Sequence, residues 1–188
     1  MRLCAARIAA RSRLPPDQAA SRNFAISSCI APIADQRCNI HAHADDLQTY
    51  VSCEAVNQES ATALLLNCIA EVDQWMTSNR LKLNADKTEF IWIGTRQQLA
   101  KISRHPVTVG GKDVAPTQSV RDLGVLLDDQ LTMDIHARSI VRSCFYQLRQ
   151  LRSVQRSLTF EARRALVTAF IASRVDYCNS IFYGVAKK

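Results

Sequence analysis

The chain has 188 residues, 47% of them hydrophobic and 22% charged, with a net charge of +7. That is enough for one ordinary domain with its own core, and the composition excludes a disordered or fibrous chain. Five glycines and five prolines argue against a linker-rich or all-β protein. No apolar run approaches the roughly 18 residues of a membrane span, so no membrane partner is expected.

The charge is unevenly spread. Residues 1–37 carry +4, residues 38–99 carry −4, residues 100–157 carry +4 and residues 158–188 carry +3. An acidic middle inside a basic frame suits a cation site flanked by a polyanion-binding surface. Seven cysteines lie at 4, 29, 38, 53, 68, 144 and 178, with no pair at the spacing of zinc or redox motifs. Scattered thiols of this kind fit a reduced intracellular protein of the nucleus or cytoplasm. The start, "MRLCAARIAARSRL", has arginines breaking each apolar run, so it is no secretory signal. It is Arg-rich like a mitochondrial transit peptide, but reads as an extension rather than a targeting segment.

Taken in order, residues 1–36 show no sustained period and read as mostly coil with a short helix. "NIHAHA" and "LQTYVSC" are two short extended segments around Asp45-Asp46, a hairpin signal. Leu64, Leu65, Cys68, Ile69, Val72, Trp75 and Met76 then share one helical face. Ser60 or Thr62 is the expected cap, and "TSN" at 77–79 the stop. "RLKLN" alternates, Asn84-Ala85-Asp86 turns, and "TEFIWIG" reads as a buried strand. "VTVGGKDVAP" predicts a hairpin turning at Gly110-Gly111. "SVRDLGVLLD" reads as one further strand.

Two helices close the chain. The first is expected from about Asp134 to Gln155, with Ile140, Cys144, Leu148, Leu151 and Val154 as its apolar stripe. The second starts after Thr159 as N-cap, with Glu161 in the first turn and Gly184 as its stop.

The chemistry concentrates at "HAHADDLQTY", residues 41–50. Two adjacent carboxylates at a solvent-reachable hairpin tip suit Mg²⁺, which prefers oxygen ligands and keeps several waters. Metals held there would activate a hydroxyl and stabilise a leaving oxygen in nucleotidyl transfer. An Asp pair alone is also an ordinary turn.

The surrounding text is more specific. "HADDLQTY" resembles the "YADD" hairpin of reverse transcriptases from non-LTR (LINE-type, jockey/CR1-like) retrotransposons. "WMTSNRLKLNADKTEFIWIG", residues 75–94, resembles the helix and Lys-containing loop that follow that hairpin. "VRDLGVLLDDQLTM", residues 120–133, resembles the family's primer-grip strands. Residues 142–184 resemble its thumb helices. The ordered blocks cover about residues 39–184.

The resemblance implies an RNA-directed DNA polymerase that uses Mg²⁺ or Mn²⁺ on an RNA template and DNA primer. It makes Asp45 and Asp46 metal ligands and catalytic residues. It sets Lys87 beside the nucleotide, where an ammonium group would neutralise or protonate departing pyrophosphate. It makes Leu123-Gly124 the primer-grip turn, with the bare Gly124 letting backbone approach the primer.

The chain also departs from the pattern. His43 stands where the family usually has an aromatic residue. The family's third catalytic Asp lies on an earlier strand, and neither Asp17 nor Asp35 sits in a matching one. The fingers have no counterpart. The expectation is therefore the C-terminal half of a polymerase domain, inactive alone.

The rival metal reading takes His41, His43 and Asp45 as zinc ligands. H-x-H-x-D resembles the opening of the metallo-β-lactamase-type signature. That family wants a further His after the Asp, where this chain has Asp46.

The first C-terminal helix speaks on physical grounds alone. Arg138, Arg142, Arg149, Arg152 and Arg156 span roughly 80° of one face at about 100° per residue. No acid intervenes between Asp134 and Glu161. Such a face suits phosphates of an RNA–DNA hybrid, and Tyr146 beside it suits stacking on a base. The plain alternative is a solvated basic face.

The expected fold is α+β. Residues 1–38 form a poorly ordered extension. Residues 39–131 form a partial palm, a small antiparallel sheet with the Asp-Asp hairpin and a packed helix. Residues 132–188 form a thumb-like pair of long helices. A non-catalytic nucleic-acid-binding remnant is the main alternative function.

Overall fold

The computed structural model describes residues 4–12, 38–43 and 46–184. It is an α+β structure that divides into two compact units, Met1–Val120 and Arg121–Lys188. No helix among the described residues is long and apolar enough to cross a membrane.

The first unit is built on one sheet. Its strands are β1 (Cys4–Ser12), β2 (Asn39–His43), β3 (Asp46–Val51), β4 (Leu81–Leu83), β5 (Glu89–Ile91) and the short β8 (Pro116–Thr117). The order is β2-β3-β1-β5-β8, with β4 also paired to β1. The antiparallel expectation holds for the pairs of β1 and β2, whereas β5 and β8 run parallel. The expectation of coil or short helix near the N-terminus is corrected at Cys4–Ser12. That segment pairs with three other strands, so its backbone groups are satisfied by a ladder that no local pattern announces.

Helix α1 (Gln58–Ser78) covers the sheet. Ala61, Leu65, Cys68, Ile69, Val72 and Met76 are buried at helical spacing. They meet Leu47 and Val51 of β3, Leu81 and Leu83 of β4, and Phe90 in one core. Leu64 and Trp75, expected on this face, are only partly buried at its margin. The alternation in β3 explains its seat: Leu47, Thr49 and Val51 are buried, while Asp46, Gln48 and Tyr50 are half-exposed.

The helix starts earlier than its expected caps. Gln58 is its first residue, and the N-cap Asn57 makes no side-chain cap bond. Thr62 instead donates to the Gln58 carbonyl at 2.9 Å. The stop at Ser78 agrees with the sequence, and Asn79 Nδ2 donates to the Trp75 carbonyl at 2.9 Å. The buried strand around Phe90 is shorter than its apolar run. Trp92 and Ile93 are buried beyond the ladder, before a four-residue helix α2 (Arg96–Leu99) opened by a capping box of Thr95 and Gln98. Strands β6 (Val107–Val109) and β7 (Lys112–Val114) form the expected hairpin, and Gly110 and Gly111 carry φ of 57° and 78°.

The second unit begins within what read as one strand. The boundary falls inside β9 (Ser119–Asp122), which pairs with β10 (Val125–Asp128) in a hairpin turned by Leu123 (φ 43°) and Gly124 (φ 87°). The room at Gly124 is filled by Tyr177, since an added Cβ would stand 3.3 Å from its ring. The Tyr177 hydroxyl donates to the Leu123 carbonyl at 2.6 Å. The Asp128 carboxylate then gathers the loop before the first long helix, accepting from the backbone N–H of Gln130, Thr132 and Met133 at 3.1, 2.9 and 2.8 Å.

Helix α3 (Asp134–Val154) runs as expected and buries His136 and Cys144. The second helix is corrected. It starts on the Thr159 cap as α4 (Phe160–Val167), widens to a π-helical turn at Thr168–Ala172, and ends with α5 (Ser173–Asp176). Tyr177 turns extended and Cys178 takes φ 53°, so the helix stops several residues before Gly184.

Candidate functional site

The carboxylate hairpin is present in outline. β2 and β3 pair antiparallel with His43 opposite Asp46, leaving a two-residue connection of Ala44 and Asp45. Asp45 itself lies outside the described residues. Asp46 is half-buried and already engaged in a polar interaction.

His43 is exposed, and His41 lies two residues back on the same strand. The His41 ring stacks on Tyr50 with centroids 5.6 Å apart and 14° between planes, and its Nε2 lies 3.2 Å from the Tyr50 hydroxyl. That aromatic contact is the local use this fold makes of His41. Among the described residues, no three His, Cys, Asp or Glu side chains come together as a metal group. Both the carboxylate pair and the zinc set include Asp45, which lies outside those residues.

On its other side β3 pairs with β1, where Ala9 stands opposite Asp46. An earlier strand therefore does flank the hairpin. Its sequence, "CAARIAARS", holds no carboxylate. Across β1 lie β4, pairing at Ala10↔Leu83, and β5, pairing at Arg7↔Glu89. The loop 84–88 spans the gap between these registers, level with Ile8 and Ala9. At about 4.8 Å per strand spacing, the loop bearing Lys87 is about two spacings from Asp46. Lys87 ends a 3-10 turn and is exposed. Asn84 fixes that turn by accepting the Asp86 N–H at 3.1 Å, and Lys112 Nζ grips the Asp86 carboxylate at 2.6 Å. The lysine pulls Asp86 below the usual carboxylate range, mainly through that hydrogen bond.

The arginines belong to the second unit and form a surface of their own. Arg138, Arg142, Arg149 and Arg152 are exposed along α3, and Arg156 is exposed in the 3-10 turn that follows. Asp134 stands one turn before Arg138, and past it α3 carries no acid. Tyr146 stands beside the arc with 58% of its surface exposed.

Sequence reading missed Phe145. At about 100° per residue it falls inside the arginine arc, roughly 20° from Arg152 and 20° from Arg138. It is 66% exposed. The signal was available: Phe145 interrupts the basic face on the side away from the stripe of Ile140, Cys144 and Leu148. A core-seeking reading passes over an apolar residue that fits no stripe. Arginines interleaved with aromatic rings can hold phosphates and stack on bases together.

Leu123 and Gly124 sit at the tip of the β9–β10 hairpin. Leu123 is exposed, while Gly124 is closed off on the Tyr177 side.

Searches against protein-family models, curated proteins and solved structures return no match for this chain.

Proposed function

We propose that this chain is a portion of an RNA-directed DNA polymerase of the non-LTR retrotransposon type, which binds nucleic acid but does not polymerise alone. The single observation that carries the binding half is the α3 surface. Four exposed arginines and two exposed aromatic rings share or border one face, and past Asp134 in its first turn the helix carries no carboxylate. Guanidinium groups release counterions from a phosphate backbone, and exposed rings give stacking that tolerates any base.

The first unit supports the family reading by arrangement. An Asp-bearing hairpin, a helix behind it and a lysine loop follow in the order of the resembled blocks. The strand beside that hairpin supports the proposed lack of activity. Ala9 occupies the register position opposite Asp46, so no third carboxylate comes from β1. Two adjacent aspartates alone would balance poorly the roughly four positive charges of a two-metal site.

Both halves are testable on the full chain. An RNA–DNA hybrid should bind with an affinity that falls steeply with salt. The triple variant Arg142→Gln, Arg149→Gln, Arg152→Gln should flatten the log–log salt slope by about 2 to 3. Unchanged affinity and slope would leave only a solvated basic face. Primer extension on a poly(A)–oligo(dT) template should be absent with Mg²⁺ or Mn²⁺. Extension that vanishes in an Asp45→Asn, Asp46→Asn variant would overturn the inactive assignment.

A further inference from the structure

The far side of α3 carries a second feature that the arginine arc does not explain. Measured from the middle of the arc, Ser139, Ser143, His136 and Ile140 lie roughly 100° to 160° around the helix, outside the arc. They line a pocket of about 340 Å³, closed by Arg121, Gly124, Leu126, Ser173, Arg174 and Tyr177. All of these belong to the second unit.

The lining is rich in donors. Arg121 and Arg174 supply two guanidinium groups, and Ser139, Ser143 and Ser173 supply three hydroxyls. Arg174 is pre-positioned, donating from one terminal nitrogen to the Ser143 hydroxyl at 2.8 Å, which leaves its other N–H groups for a ligand. Asp122, next to Arg121 in the sequence, is an opposing charge whose field reaches Tyr177.

His136 adds an unmet demand. It is 4% exposed, its ring stacks on Phe182 at 5.9 Å, and its Nδ1 accepts the Leu126 N–H at 3.3 Å. A nitrogen that accepts carries no proton, so the proton of the neutral ring sits on Nε2. Burial, and then the Arg121 charge, hold the imidazole below its usual range and keep it neutral. Nε2 is buried and has no hydrogen-bond partner among the described residues. A buried donor without an acceptor is costly, so the ring at this wall of the pocket is not fully satisfied by the fold.

We infer that this pocket binds a phosphate group, held by Arg121 and Arg174 with the serine hydroxyls as further donors. A phosphate offers only acceptors and two or more oxygens for fork-shaped guanidinium bonding, which matches a lining of donors. The inference does not rest on the polymerase reading, because the arginine arc lies on a different face of the helix.

Calorimetric titration of the full chain with inorganic phosphate tests it. One saturable site is expected. Arg121→Gln and Arg174→Gln should each weaken it at least tenfold, with the helical circular dichroism unchanged. Arg163→Gln removes the same charge from an exposed position outside the pocket and should leave binding as it was. Should Arg174→Gln unfold the unit, Arg121→Gln and Ser139→Ala carry the test. Uptake that never saturates, or equal loss in Arg163→Gln, would overturn the site in favour of diffuse attraction. A 5′-phosphorylated oligonucleotide and its unphosphorylated twin then identify the source. Tenfold tighter binding of the phosphorylated strand, abolished in Arg121→Gln, assigns the pocket to a strand end. Equal binding of the two strands, with inorganic phosphate still bound, assigns it to a small phosphate compound.

Discussion

The two units solve the same problem with unequal means. The first buries a continuous core in which Leu47, Leu65, Val72, Met76 and Phe90 are almost fully enclosed. In the second, the buried hydrophobic residues among those described are Val125, Met133 and Cys144. Ile135, Val141, Phe145, Phe160, Phe170 and Tyr183 remain exposed there. A sheet covered by one amphipathic helix can satisfy itself. A short hairpin and two helices with a basic face leave apolar area in water, and contiguous area of that kind usually marks a surface with work to do. Stability is therefore expected to reside in the first unit and recognition in the second.

The sharpest break of that comparison is a pair of like substitutions. Phe90 is 1% exposed and meets Trp92 edge-to-face at 5.3 Å. Phe90→Ala removes the ring from a packed core and should cost about 3–5 kcal/mol. Phe145→Ala deletes the same atoms from a 66% exposed position and should change stability by no more than about 0.5 kcal/mol. Urea unfolding followed by tryptophan fluorescence reports the first unit, since Trp75 and Trp92 both lie in it. Circular dichroism follows both units. Comparable losses from the two variants would mean that Phe145 is packed in solution, and the arginine arc would lose its aromatic partner.

A smaller effect is expected in the second unit, where one carboxylate replaces a core. Asp128 is 5% exposed and accepts three backbone N–H groups and the Thr132 hydroxyl. Asp128→Ala leaves those donors without their acceptor, a loss of roughly 2–3 kcal/mol for charge-assisted bonds. Amide exchange in Gln130–Ala137 should accelerate while exchange in α1 stays unchanged. Asp128→Asn keeps one acceptor oxygen and should fall between. Equal acceleration in α1 would show that the units unfold together, and the division of labour would fail.

How much of this was legible follows the same line. α1 and its face were readable, because Leu65, Cys68, Ile69, Val72 and Met76 repeat at the helical period and little competes with them. The Gly110-Gly111 hairpin was readable from its turn residues. The strand Cys4–Ser12 was not, because it is made by pairing with β3, β4 and β5, which lie far along the chain, and its short run of small residues and arginines resembles an ordinary extension. "SVRDLGVLLD" read as one strand because Leu123 at positive φ is a choice made by Tyr177, fifty-four residues away. The candidate residues show the same split. The arginine arc was visible because it lies on one helix. The pocket outside it was not, because Arg121, His136 and Arg174 come from a strand and two helices and have no shared spacing. The residues opposite Asp46 depend on register, which no single segment encodes.

The smallest expected effect concerns the loop that carries Lys87. Lys112, on β7, holds Asp86 across an exposed ion pair of 2.6 Å, with Lys82 adding a weaker pull. Because the folded value is depressed, the pair contributes stability above the ordinary aspartate range, and that contribution is lost as pH falls through the folded value. The window is acidic and the contribution is screened by solvent and salt. A carboxyl carbon titration by NMR should place the Asp86 midpoint below that of an ordinary aspartate, and Lys112→Gln should return it upward. Raising the salt should close part of the gap. If Asp86 titrates identically in both proteins, the ion pair is not formed in solution. The loop 84–88 would then be held only by the Asn84 turn, and Lys87 would have no fixed position relative to the Asp46 hairpin.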